Sequence, residues 1–310
     1  MSALTPKGPY WVVVRQHRRV LWAVAALVGA SLAAVIVLRV RLREPDSDQV
    51  LRTNDFWAES LFRLCMEYAG NALLFLPLLV GAFVAGPMVA RELESGTWRL
   101  ALTQSTTAKA WLGSKVLVAA AVSVAGSAAL VGIYRLGWVR VSDTWQLTWA
   151  DRGPYEATGP VLIAYCLLAV ALGALVGQLV RRTLVAMAVT GFVMGLVLLI
   201  LGALRWSLLP VVTATTPYTG QPGPVMPPSA LMMDIGFLDS SGRRLSENVC
   251  FARTGRFDKC PADLNIAGQY ADFHPVSHYW PTQFIETSIL LALAAAALYA
   301  AFRMVHARHP

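Results

Sequence analysis

Apolar residues come in long unbroken runs along this chain, separated by short polar stretches. They do not alternate as in a half-buried strand, nor recur every three to four positions as on a surface helix. Six runs reach the roughly 20 residues that a helix needs to cross a hydrocarbon core. They lie at 20–38, 69–90, 116–137, 160–180, 184–204 and 284–302. The pattern predicts an all-α membrane protein with six spanning helices. It divides the chain into an interfacial segment (1–19), spans one to five (20–204), one long connection (205–283), and span six with a short tail (284–310). The first run is longer than the apolar core of a signal peptide, has no convincing cleavage site, and leads directly into Arg39, Arg41 and Arg43. It reads as a span, not a leader.

Composition agrees. Hydrophobic residues make up 56% of the 310 positions and charged residues only 14%, against about 25% charged in a soluble domain. The net charge of +8 does not indicate nucleic acid, because the basic residues cluster at the ends of the apolar runs. Their asymmetry sets the topology. The segments 1–19, 91–115, 181–183 and 303–310 hold 12 Lys/Arg and only two acids, Glu92 and Glu94. The short connections 39–68 and 138–159 hold 7 Lys/Arg against 9 acids. The first set is therefore expected in the cytoplasm, with both termini inside, although Arg39, Arg41 and Arg43 then fall outside. In the N-terminal segment Trp11, Arg15 and Arg18 suit the inner interface, with lipid as a partner. Arg181 and Arg182 take the same side.

Few polar groups occur inside the runs. Arg135 and Glu286 fall near outer ends, where side chains can snorkel to water. No midplane carboxylate is present for a buried acid relay. Gly173/Gly177 and Gly191/Gly195 are small-residue pairs that permit close helix packing, within the chain or in a dimer. The long connection carries a Pro/Gly-rich stretch at 217–228 and an aromatic end with Tyr270, Phe273, His274, Tyr279 and Trp280. These rings suit the membrane–water boundary, or the outer mouth of a pathway. Cys250 and Cys260, expected outside, are candidates for a disulfide, with two separate thiols as the alternative. Cys166, within a span, reads as a packing residue.

Catalytic and nucleotide motifs are missing from the sequence. There is no Gly-rich loop ending in Gly-Lys-Ser/Thr, so ATP, if used, binds another chain. There is also no Cys-x-x-Cys and no Gly-x-Ser-x-Gly. His274 and His278 have the spacing of a zinc helix, but Pro275 follows directly and no Glu accompanies them, so no metal is expected. The most informative segment is 89–115, VARELESGTWRLALTQSTTAKAWLGSK. Its helix runs past the span into Arg91, Glu92 and Glu94 and breaks at Ser95-Gly96. Thr97 can cap a short helix with Trp98 and Leu102 on one face, and Thr107 can cap the helix that re-enters at Lys115. A charged helix end, a sharp turn and a short amphipathic helix suit the docking of a soluble partner.

At these residues the chain resembles the ABC type-2 permease family, through Arg91-Glu92, Gly96-Thr97, Leu100/Leu102 and Lys115. Three further stretches resemble an actinobacterial subgroup: Trp11 with Arg15-Gln16-His17-Arg18; Arg181-Arg182-Thr183 with Ala186-Met187-Ala188; and His274-Pro275 through Tyr279-Trp280 and Gln283. Thr107-Ala108-Lys109-Ala110-Trp111 is less basic than the family's usual stretch there. The resemblance implies the permease half of an ATP-driven exporter in a bacterial plasma membrane. Two permease copies, expected to be a homodimer, would each dock a cytoplasmic ATPase that holds Mg-ATP, and the cargo would be an amphiphilic drug, peptide or lipid. Arg91, Glu92, Glu94, Gly96, Thr97, Trp98, Arg99, Leu102 and Lys115 would form the coupling element, with Glu92, Glu94 and Arg99 docking the ATPase and Trp98 and Leu102 packing into its groove. The competing readings are a membrane sensor or immunity protein that binds a peptide or antibiotic without moving it, and an intramembrane enzyme.

Overall fold

The structure, a computed structural model, describes residues 15, 18–41, 53–103, 107–142, 147–218, 223–256 and 260–308. Trp11 lies outside these residues, and the Leu102 side chain is also outside the description. Among the described residues six helices are long and apolar enough to cross a membrane: Arg18–Val40, Ser60–Ser95, Ala108–Val141, Val161–Val180, Thr183–Ser207 and Val276–Ala307. Each covers one predicted run and most extend past it, because the backbone ladder continues into polar residues where the hydrocarbon requirement ends.

The chain divides into two compact units, one of Met1–Ser142, Asp151–Arg205 and Gln283–Pro310, the other of Asp143–Ala150 and Trp206–Thr282. The first unit holds the spans. It begins with α1 (Arg18–Arg41) and continues through α2 (Thr53–Leu74), α3 (Leu76–Leu79), a π-helical turn (Val80–Ala85) and α4 (Gly86–Ser95), which together build the second span. α5 (Trp98–Thr103), α6 (Ala108–Val141), α7 (Arg152–Thr158), α8 (Val161–Val180) and α9 (Thr183–Leu204) follow. The π turn has a local cause. Pro87 has no N–H to offer the carbonyl four residues back, and the ladder resets so that the Gly86 N–H donates to the Gly81 carbonyl, five residues back. α8 is the best-buried span. Its Gly173 faces Ala85 and its Gly177 faces Val89, where an added Cβ would come within 3.0 Å of the valine Cβ. Gly191 and Gly195 of α9 face Ala82 and Leu78. Both small-residue pairs therefore bring α8 and α9 against the second span of the same chain.

The second unit takes up most of the long connection, in which the sequence showed a Pro/Gly-rich stretch and an aromatic end. It holds a four-stranded antiparallel sheet in the order β1-β4-β2-β3. The strands are β1 (Val212–Pro217), β2 (Leu231–Asp239), β3 (Arg244–Ser246) and β4 (Ile266–His274). The Pro/Gly stretch falls at the end of β1 and in the connection to β2, so it interrupts strands and does not mark the whole segment as irregular. The β2–β3 turn is held by Asp239, whose Oδ1 accepts from the N–H groups of Ser241 and Arg243 and from the Ser241 hydroxyl. Those donors hold its carboxyl below the ordinary range, the Ser241 hydroxyl contributing most. Between β3 and β4, the short α10 (Val249–Thr254) carries Cys250, joined to Cys260 by a disulfide with 4.7 Å between the Cα atoms. The last helix, α11 (Tyr279–Arg308), runs from this unit into the sixth span.

Candidate functional site

Segment 89–115 folds much as its residue types dictate. α4 ends at Ser95 because Gly96 takes the left-handed conformation at φ 72°, a region that favours glycine. The Thr97 hydroxyl meets that of Ser95 at 2.9 Å, and the Arg99 N–H closes onto the Gly96 carbonyl at 3.1 Å. α5 follows at once. Thr107 caps α6, its hydroxyl accepting from the Ala110 N–H at 3.2 Å.

The acids of this turn bind within the chain. The Lys115 Nζ donates to Glu92 Oε1 at 2.6 Å, and Trp111 Nε1 donates to Glu92 Oε2 at 2.9 Å. Lys115 is 2% exposed and Glu92 16%, so this pair is largely withdrawn from water and correspondingly strong. Glu94 accepts from the Thr183 N–H at 2.8 Å and from the Thr183 hydroxyl, at the first turn of α9. One short stretch at the end of the second span is thereby tied to the starts of the third and the fifth. Beneath it, Met88, Val89, Trp111, Leu112, Val170 and Val305 belong to one apolar cluster drawn from spans two, three, four and six. Trp98, expected to offer its ring to a partner, is half-buried against this cluster. Arg91 and Arg99 are exposed, with the Arg99 guanidinium 5.7 Å from the Trp98 ring centre.

The remaining expected residues are scattered. Arg15 and Arg18 are exposed before α1 and at its first residue. Arg181 and Arg182 are exposed between α8 and α9, Arg181 at φ 55°. The aromatic group does not line an opening as a set. Tyr270, Phe273 and His274 are buried in β4, while Tyr279 is half-buried and Trp280 exposed. β4 is the central strand, paired along both edges, with β1 on one side and β2 on the other. The Tyr270 hydroxyl donates to Asp234 at 2.9 Å, and His274 is bonded to the Trp206 carbonyl and to His278 Nδ1. Burial holds His274 below the ordinary imidazole range.

A second polar cluster was missed by sequence reasoning. Glu286 does not snorkel to water; it is 0% exposed. Arg205, at the end of the fifth span, donates from Nε to Glu286 Oε2 at 2.9 Å and from Nη2 to Glu156 Oε1 at 2.5 Å. The Tyr165 hydroxyl donates to Glu286 Oε1 at 2.6 Å. Next to it, Gln283 accepts from the Val161 N–H and donates to the Tyr155 carbonyl, so it caps α8 from the start of span six. The only sequence signal was an arginine directly behind an apolar run, which reads equally well as a topological flank.

A family model described as ABC-2 membrane transporter related matches residues 19–205. No curated protein and no solved structure matches the chain. The matched stretch holds the first five spans, the braced turn at Glu92 and both Glu156 and Arg205. It covers more than half of the sequence, and the chain belongs to the ABC-2 membrane transporter related family.

Proposed function

We propose that this chain is the permease subunit of an ATP-binding cassette exporter of a bacterial plasma membrane, of the actinobacterial kind its motifs resemble. In this reading two copies form a homodimer, each with its termini in the cytoplasm. Each docks one cytoplasmic ATPase, which holds the Mg-ATP. The cargo is amphiphilic: a drug, a peptide or a lipid. Membership of the family supports a transport membrane subunit that works with an ABC ATPase, a kind of subunit that is generally not catalytic itself.

The observation that carries the reading is the brace at the turn between spans two and three. A partner can move spans only if the element it pushes is stiffly joined to them, because a ligand shifts an equilibrium only through contacts that differ between its states. Here the α4–α5 turn is joined to α6 through Glu92 and to α9 through Glu94. The residues expected to dock the ATPase therefore divide into two roles. Glu92, Glu94, Lys115 and the Trp98 ring transmit force within the chain, and Arg91 and Arg99 present charge to the partner. The disulfide supports an extracytoplasmic second unit, since such bonds persist in oxidising compartments.

The test is co-purification with the ATPase from a neighbouring reading frame, followed by cargo-stimulated ATP hydrolysis in liposomes. Gly96→Val forces a β-branched residue to φ 72°. It is expected to lower the stimulated rate about tenfold, from roughly 1–2 kcal/mol of backbone strain placed on the turn, while the protein still inserts. Wild-type coupling in both Gly96→Val and Glu92→Arg would remove this turn from the mechanism.

A further inference from the structure

The Arg205 cluster holds two carboxyl groups against one guanidinium, all three withdrawn from water: Arg205 and Glu156 are each 1% exposed and Glu286 0%. The two acids are not equivalent. Glu286 accepts from Arg205 Nε at 2.9 Å, from Arg205 Nη2 at 3.1 Å and from the Tyr165 hydroxyl at 2.6 Å. Three donors satisfy a carboxylate. Glu156 takes one bond, from Arg205 Nη2 to Oε1, and its buried Oε2 has no partner. An ionised Glu156 would leave half of its charge unsolvated in a site that already holds one ion pair. Of the guanidinium nitrogens, Nε and Nη2 serve Glu286, Nη2 also supplies the one bond to Glu156, and the guanidinium lies 3.9 Å from the Tyr155 ring centre.

We infer that Glu156 is a proton-binding site: Oε2 carries a proton while the ends of spans four, five and six are closed around Arg205, and releases it to solvent when they separate. The Arg205–Glu286 ion pair is then charge-neutral beside a neutral acid. Opening hydrates Glu156, its O–H bond breaks, the proton passes to water and the electron pair stays on Oε2. Binding of a proton and closure are linked, and each favours the other to the same extent.

The other groups facing Glu156 agree with this. Burial pushes its carboxyl above the ordinary range, Glu286 adds to that, and Arg205 and Arg152 oppose it. Arg152 is exposed, and its Nη2 donates to the Leu198 carbonyl at 3.2 Å. Of the elements packed on α7, α2 carries Arg63 and Glu67, and α6 carries Tyr134 and Arg135. Tyr134 donates to the Met66 carbonyl and Arg135 to the Thr158 carbonyl. No second guanidinium or ammonium bonds Glu156 among the described residues. The inference does not rest on the exporter reading; it requires only that the three span ends pack as they do.

The experiment uses the full chain, purified in detergent. Infrared spectra near neutral pH in H2O and D2O should show the C=O stretch of a buried un-ionised carboxyl that shifts on deuteration and vanishes in Glu156→Gln. The folded state holds a proton that the unfolded state loses. Thermal stability should therefore fall as pH rises, the folding constant dropping by about tenfold per pH unit until the folded site itself ionises. Glu156→Gln imitates the protonated acid. It should unfold at or above the wild-type midpoint near neutral pH and lose this part of the pH dependence, whereas Glu286→Gln should unfold earlier. Absence of the carboxyl band, or Glu156→Gln unfolding as early as Glu286→Gln, would overturn the site. So would a midpoint that responds to sodium against choline only when Glu156 is present, which would make the ligand a metal cation.

Discussion

Two charged clusters tie span ends together, and they are built on different balances. At the turn between spans two and three, one acid meets one base: Glu92 with Lys115, at 16% and 2% exposure, with the Trp111 N–H on the second carboxylate oxygen. At the other cluster two acids share one base, Arg205, and water is excluded from all three. The balanced pair is neutral as it stands, one carboxylate to one ammonium, so it can tie spans two and three stiffly without a proton being bound or released. The unbalanced triad cannot open without hydrating a buried charge. It suits a closure held firmly until something, here a proton, changes its charge. Ion pairs in a membrane protein therefore have to be read by count as well as by burial, since burial alone would rank the two sites nearly alike.

The sharpest way to break the comparison is at Arg205. Arg205→Met keeps an unbranched side chain but leaves the Glu286 carboxylate without a counter-charge. The expected loss is about 3–5 kcal/mol of stability, the cost of a broken buried pair, read as a fall in the unfolding midpoint and in the folded yield from membranes. The loss should be partly relieved by adding Glu286→Gln. A single variant as stable as wild type would mean that the cluster is not clamping the span ends.

The balanced pair should respond more mildly and in a distinct pattern. Lys115→Met takes the ammonium away from the Glu92 carboxylate and keeps the Trp111 N–H, at an expected cost of about 1–3 kcal/mol. Adding Glu92→Gln removes the orphaned charge and preserves the acceptor for Trp111, so the double variant should recover most of that stability. Coupling to the ATPase should stay impaired in both, because the strong tie between spans two and three is gone. Recovery of stability and coupling together would reduce the pair to a folding contact.

How far each cluster was legible follows from the same physics. The spans could be read because a hydrocarbon core imposes one demand, length in apolar residues, that any window of sequence displays. The break at Ser95-Gly96 and the cap at Thr107 were legible because both are local: a left-handed φ needs glycine, and an N-cap needs a hydroxyl. The bond between Glu92 and Lys115 spans 23 positions and Glu94 to Thr183 spans 89, so only the residues, not their partners, could be named. Glu156, Arg205 and Glu286 lie on three separate elements, and each alone resembles a flanking charge. The sheet was overlooked for another reason. Prolines and glycines between β1 and β2 masked strands such as Ile266–His274, in which aromatic and apolar residues dominate. The acids and arginines around it are paired across strands and turns, as polar loop residues seldom announce in sequence.

That sheet supplies the weak limit of the comparison, and with it the smallest effect. Arg244 donates to Asp272 Oδ2 at 2.5 Å, and Thr213 donates to Asp272 Oδ1 at 2.5 Å. Asp272 is nearly buried, but Arg244 is 50% exposed and lies over the Tyr270 ring, 4.5 Å from its centre. Burial alone would raise the Asp272 carboxyl; the Thr213 hydroxyl and Arg244 together outweigh it and hold the carboxyl below its ordinary value. With the folded value depressed, the unfolded chain binds the proton more readily. The contribution is therefore complete above the unfolded value of about 3.9 and is lost as pH falls through the lower folded value. Solvent at Arg244 screens the pair, so the expected size is at most about 1 kcal/mol. Limited proteolysis of the full chain between spans five and six should accelerate only in acid, and Arg244→Gln should move that onset slightly toward neutral pH. At neutral pH, where the Arg205 triad should dominate the pH response, the same variant should digest at nearly the wild-type rate. A large loss there would show that a half-exposed pair can rival a buried one, and that burial does not rank the charged contacts of this protein.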